Sequence, residues 1–178
     1  MFWYNCLVRI VLAVTAFSLA RPLISETAAR LALRGPVFIL DGSNSVDAFA
    51  IARALRRKQQ DFYPALERIQ VARAFTCYQM VSLIRQTPGG STPKIILGLL
   101  NSFYDEDVRL ADALRLFDQA EENLKRLAQT APILVTSRPP GSGQAERQQL
   151  YLRLMAAADQ TIVLDTPETH GSSQLALF

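Results

Sequence analysis

Short uninterrupted apolar runs alternate along the chain with stretches in which apolar residues recur every three or four positions. The first kind suits a strand covered on both faces, the second a helix with one buried side. "LVRIVLAV" (7–14) is rich in β-branched residues and reads as a buried first strand. Pro22 then suits the first turn of a helix. Leu23, Ile24, Thr27, Ala28 and Leu31 mark its inner face, and Gly35 stops it. "PVFILD" (36–41) is a second continuous strand. After "GSNS" the pattern predicts a helix from about Val46, capped by Ser45, with Val46, Phe49, Ala50 and Ala54 turned inward.

A short helix through "YPALERI" leads to strand "IQVARA", and a helix from about Thr76 to Arg85 presents Cys77, Met80, Val81 and Ile84. The loop "TPGGSTP" precedes another core strand, "KIILGLL". "DED" (105–107) opens a long helix through 108–129, its negative charge at the N-terminal end. Strand "PILVTS", the turn-rich "RPPGSGQ", helix "ERQQLYLRLMAAA" and strand "TIVLD" complete the series. This alternation predicts one α/β domain over residues 1–166, a three-layer sandwich with a mostly parallel central sheet. Residues 167–178 are a flexible tail or a closing strand that makes a C-terminal β-hairpin.

Composition narrows the options without naming a reaction. At 178 residues the chain is long enough to bury a core. Its formal charge of +3 permits an anionic partner without requiring one. Arg53, Arg56, Arg57 and Lys58 cluster where positive charge complements a helix C-terminus, with a phosphate-binding patch as the second reading. Cys6 and Cys77 are the only cysteines and His170 the only histidine, which excludes a disulfide framework and a zinc-type cluster. A triad would have to use His170, whose setting "TPETHGSS" is that of a solvated imidazole. The N-terminal run ending "FSLA" has features of a signal peptide, but its first eight residues carry no side-chain positive charge and Arg9 interrupts it. Ile10–Ala20 is also too short to span a bilayer. The expectation is a cytoplasmic protein with no membrane partner; the alternative is an exported α/β binding protein.

Ligands of such sheets bind beyond the C-terminal ends of the strands. There, "VFILDGSNSVDAFAIARAL" and "LERIQVARAFTCYQMVSLI" resemble the core of the RecA/RadA-type recombinases. In that family a strand ending in an acid leads to a helix, and a later "I-x-V-A-R-A-F" strand precedes a helix starting near a Gln. "NLKRLAQTAPILVTSRP" resembles the family's helix and strand leading to its sensor loop. The resemblance covers roughly residues 8–166 and implies a P-loop ATPase fold, with ATP and Mg²⁺ as cofactors of active members.

The departures from that pattern fall on its chemistry. The first loop lacks the glycine-rich cradle and its lysine: no glycine precedes Gly35 and no lysine precedes Lys58. Thr15, Ser18 and Arg21 stand there instead, with Pro22 lacking an amide donor. After the second strand come Asp41, Gly42, Ser43 and Asn44, with Ser43 where the family has its water-orienting acid. Gly98 takes the place of the Mg²⁺-holding Asp, and Ser137-Arg138 that of the sensor pair. The resemblance therefore implies a pseudo-ATPase with no catalytic residues and no cofactor, an accessory of DNA recombination, repair or damage tolerance. Its partners would be a recombination or repair protein and possibly DNA; a divergent active DNA-dependent ATPase is the alternative. Asp41, Asn44 and Asp47, and separately Asp105, Glu106 and Asp107, have the chemistry of metal ligands. Local turn and cap bonds are the expected role of both sets, and no metal is assigned.

The terminal "QLALF" resembles the pentapeptide by which bacterial replication and repair proteins bind the β sliding clamp. That resemblance assigns Gln174 a directional hydrogen bond, Leu175 a place beside it, and Leu177 and Phe178 an apolar pocket, with "ETHGSS" as leash. The same residues alternate as a closing strand would, although the eight-residue connection "TPETHGSS" is long for a hairpin.

Overall fold

The computed structural model describes residues 10–15 and 17–164, without the side chains of 15–20. The expectations for residues 1–9 and for 165–178, the hairpin and "QLALF" among them, lie outside the described residues. Six strands, β1 (Ile10–Thr15), β2 (Val37–Asp41), β3 (Ile69–Arg73), β4 (Lys94–Leu97), β5 (Ile133–Ser137) and β6 (Gln160–Leu164), form one sheet ordered β3-β2-β4-β5-β1-β6. Every neighbouring pair is parallel. The helices are α1 (Phe17–Ala32), α2 (Ala48–Arg56), α3 (Tyr63–Glu67), α4 (Cys77–Gln86), α5 (Leu110–Ala128) and α6 (Gln148–Ala157), with 3₁₀ segments at Asn101–Tyr104 and Ser142–Arg147.

The strands are apolar on both faces because each face has its own core. Ile95 and Leu97 of β4, with Val37 and Ile39 of β2, pack against α1, α2 and α3. Ile96 between them, with Leu12, Leu40 and Val135, packs against α4, α5 and α6. The strand period of two thus feeds two cores, and the result is a three-layer α/β sandwich.

Helix α4 follows its sequence signal closely. Thr76 accepts a hydrogen bond from the N–H of Gln79, and the Gln79 side chain accepts from the N–H of Thr76, a reciprocal capping box. Cys77, Met80, Val81 and Ile84 are its buried residues.

Three other helices depart from expectation. Helix α1 begins at Phe17, so Pro22 lies inside it and removes one main-chain donor from its interior. Its buried face is Ile24, Ala28, Ala29 and Ala32, and Leu23 is exposed. Helix α2 starts at Ala48 with Asp47 as cap, whose Oδ1 accepts from the N–H of Ala50 at 2.8 Å. Ser45 is not the cap: its hydroxyl pairs with that of Ser43 at 2.6 Å, while its N–H donates to Asp41. The register shifts accordingly: Ile51, Ala54 and Leu55 are buried, while Phe49 is 83% exposed. Helix α5 starts at Leu110, and Asp105–Asp107 form a turn before it, closed by the N–H of Asp107 on Asp105 Oδ1 at 3.0 Å.

Candidate functional site

Parallel sheets open a crevice where the chain leaves two neighbouring strands toward opposite faces. Here β1 and β2 are followed by α1 and α2 on one face, and β4 and β5 by α5 and α6 on the other. Strand β3 is followed by α4 on that second face, so three such places result among the described residues, between β3 and β2, between β2 and β4 and between β5 and β1. The loops that meet at the last two begin at Asp41, Gly98 and Ser137; the loop after β1 holds residue 16, outside the described residues.

Asp41 is fully buried and is the hub of its own loop. Its Oδ1 accepts from the N–H and hydroxyl of Ser43 and from the N–H of Ser45, each at 3.1 Å. Its Oδ2 accepts from the N–H of Val46 at 3.1 Å and lies 3.6 Å from Arg73 Nε on β3. The carboxylate thus has four donors and a guanidinium as partners, all of them protein groups. Such a carboxylate holds a turn. Asn44 sits at the bend with φ +50°, which asparagine tolerates better than most residues, and its side chain is exposed. Of the three polar residues considered together, Asp41 organises the loop, Asn44 makes the bend and Asp47 caps α2.

Gly98 has φ +57°, and a Cβ there would lie 2.5 Å from Ser43 Cβ and 2.9 Å from Asn101 Nδ2. Gly42 is equally confined: a Cβ would meet Met80 Cε at 2.4 Å and the carbonyl oxygens of Leu97 and Gly98 at 3.2 Å. These two glycines let the β2 and β4 loops touch backbone to backbone, with the N–H of Gly42 on the Leu97 carbonyl at 2.8 Å. The β5 strand joins them, Thr136 Oγ1 accepting from the N–H of Gly98 at 2.9 Å and the Thr136 carbonyl from the N–H of Leu99 at 3.2 Å. The ends of β2, β4 and β5 are sewn together. Within this seam Asn101 Oδ1 and Ser102 Oγ are buried and make no hydrogen bond to a described residue.

Ser137 is buried, and its hydroxyl donates to the Arg138 carbonyl at 3.3 Å. The Tyr104 hydroxyl donates to that same carbonyl at 3.0 Å, while the Arg138 guanidinium lies 5.7 Å from the Tyr104 ring centroid. Burial pushes the Tyr104 phenol well above its ordinary range, so it remains a donor. Buried Arg147 donates to the carbonyls of Phe103 and Val108, and Gln144 Nε2 donates to the Tyr104 carbonyl at 2.7 Å. Arginine and glutamine here anchor the 101–108 segment from the α6 side.

Of the remaining predicted positions, Thr15 and Ser18 have side chains outside the described residues. Arg21 is exposed on α1 and faces α2 across a groove that also holds Asp47. The structure therefore gathers Asp41, Ser43 and Gly98 into one seam, puts Ser137 and Arg138 beside it, and places Arg21 in a different concavity. Sequence reasoning missed Gly42, Arg73 and Thr136 as members of the seam. The Asp-Gly pair signalled a turn; nothing local marked Arg73 or Thr136, which arrive from neighbouring strands.

The lateral boundary of the sheet has a different character. Among the described residues strand β3 pairs with β2 alone, and the main-chain groups along its outer side have no described sheet partner. Val71, Phe75 and Tyr78 there are 44%, 70% and 51% exposed. Beside them lies an apolar groove of about 310 Å³, lined by Leu40, Val71, Ala72, Leu83 and Pro88 among others. Compared with protein-family models and with curated proteins, the chain matches none.

Among the described residues, no helix is long and apolar enough to cross a membrane.

Proposed function

We propose that the chain is a RecA-like domain without nucleotide turnover, acting in the cytoplasm as a binding accessory of DNA recombination, repair or damage tolerance. The observation that carries this reading is Asp41. It is the carboxylate nearest the position, taken here by Ser43, where the resemblance calls for a reacting acid, and its oxygens accept from the N–H groups and hydroxyl of its own loop. ATP and Mg²⁺ do not fit these residues. The Mg²⁺-holding position is a glycine closed in by Ser43 and Asn101, and no lysine stands before Lys58 to meet a phosphate.

A domain that does no chemistry at its strand ends works through its surfaces. The outer side of β3, the exposed Val71 on it, Phe75 just after it and Tyr78 on α4, and the groove beside them support a protein partner on that side. The terminal "QLALF" supports the bacterial sliding clamp as a second partner, with Gln174, Leu175, Leu177 and Phe178 as its contacts.

Two measurements test the reading. The purified protein should show no ATP hydrolysis above background with or without DNA; hydrolysis that Asp41→Asn abolishes would establish the divergent ATPase instead. Binding to a sliding clamp should be lost when Leu177 and Phe178 are changed to Ala while the thermal melt stays put. Absence of binding, with a clearly lower melt in the variant, would make the pentapeptide a structural strand.

A further inference from the structure

Helices α1 and α2 lie side by side on one face of the sheet and leave between them a groove of about 330 Å³. Its walls include Arg21, Ser25, Glu26, Asp47, Arg53 and Arg57. Both carboxylates are already engaged. Asp47 caps α2, and Glu26 is paired with Arg30 at 2.9 Å, with Arg57 at 3.7 Å and with Lys58. Lys58 and Arg30 hold the Glu26 carboxyl down to about 2, so it stays charged and matched. Arg56, next in the cluster, stacks over the Phe62 ring at 5.1 Å.

Arg21 and Arg53 are left over. Both are exposed, and neither forms an ion pair with a described residue. Between them on the α1 wall, Ser25 is 5% exposed, and its hydroxyl makes no hydrogen bond to a described residue. Ser25 opens onto the groove that Arg21 and Arg53 also line.

We infer that this groove binds a phosphate-type oxyanion, free or as the terminal group of a monoester, through Arg21, Arg53 and the Ser25 hydroxyl. Two guanidinium forks and a single-atom donor suit a tetrahedral group with several acceptor oxygens. The site lies between two helices and does not use the seam at the strand ends, so it stands independently of the reading for Asp41.

The test is isothermal calorimetry of the full chain with inorganic phosphate, ionic strength held constant with sodium chloride. One saturable site is expected, weakened roughly tenfold by Arg21→Gln or by Arg53→Gln and a few-fold by Ser25→Ala. Arg115→Gln, on α5 at the opposite face, should leave it unchanged. Melts of all variants should match the parent, since Arg21 and Arg53 support no described contact. Glycerol 3-phosphate that displaces phosphate would show that the site takes a monoester; failure to displace would restrict it to the free ion. No saturable heat, retention of binding in the Arg21→Gln/Arg53→Gln double variant, or an equal loss in Arg115→Gln would overturn the inference.

Discussion

The ends of β2, β4 and β5 and the outer side of β3 are both boundaries of one sheet, yet they are built on opposite principles. At the strand ends, polar groups are buried and turned inward on one another: Asp41 on its loop, Gly42 on Leu97, Gly98 on Thr136. On the β3 side, Val71, Phe75 and Tyr78 are exposed, and among the described residues the outer main chain of β3 has no neighbour. A buried carboxylate whose partners are all protein groups is a fastening, since desolvation would cost several kcal/mol were any of them withdrawn. An exposed apolar strand edge is a liability unless something covers it. The first boundary serves the fold, and the second leaves apolar surface in solvent.

Substitutions can break this contrast, and the strand ends should give the largest effects. Asp41→Ala removes the acceptor of three N–H groups in a fully buried setting, and should cost about 4 kcal/mol, read as a melt lowered by roughly 10 °C. An unchanged melt would mean that the loop holds without its hub. Gly98→Ala combines a left-handed φ with a Cβ placed 2.5 Å from Ser43; a loss of about 3 kcal/mol by denaturant unfolding is expected. The β3 side should behave in the opposite way. Val71→Lys and Phe75→Ala are expected to stay within about 0.5 kcal/mol of the parent, and a large drop in either would make those side chains structural.

The smallest effect concerns pH. The Glu26 pKa is lowered to about 2 by Lys58 and Arg30. A carboxyl with a depressed folded value stabilises the fold above its ordinary pKa near 4.5, and that stabilisation is lost as pH falls through 4.5 toward 2. The parent should therefore melt higher than Glu26→Gln at pH 7, with the gap closing over that window. The effect is modest, because the group is partly exposed to solvent. A gap that persists at pH 2 would remove the charge from the explanation.

The helices show how far a one-dimensional pattern carries. In α4 a cap, a hydrophobic face and flanking polar residues all agree, and the structure follows them. In α2 two capping residues compete within three positions. The Ser45 hydroxyl is taken by Ser43, which Asp41 holds in place, and Asp47 caps the helix instead. Phe49 consequently falls on the exposed side although its apolarity suggests the core. In α1 the helix starts before Pro22, and packing of Ile24, Ala28 and Ala32 against the sheet outweighs the missing donor.

The amino-acid sequence by itself determined the α/β class, the three layers and the strand-helix rhythm, because runs covered on both faces and 3.6-residue periodicities are written locally. It also determined which groups of the phosphate-binding pattern are missing, since that is a matter of residue identity. Only the tertiary structure decided what the remaining polar residues do. Whether Asp41 holds a turn or faces a ligand depends on Ser43, Val46 and Arg73 reaching it together. Whether Gly98 is a vacant ligand position or a close-packed joint depends on the β2 loop lying against it. Whether Arg53 is matched depends on Glu26, twenty-seven residues earlier, being occupied by Arg30, Arg57 and Lys58 instead. Hydrogen bonds and ion pairs act over about 3 Å, and it is the packing of distant segments that sets which partners fall within that reach.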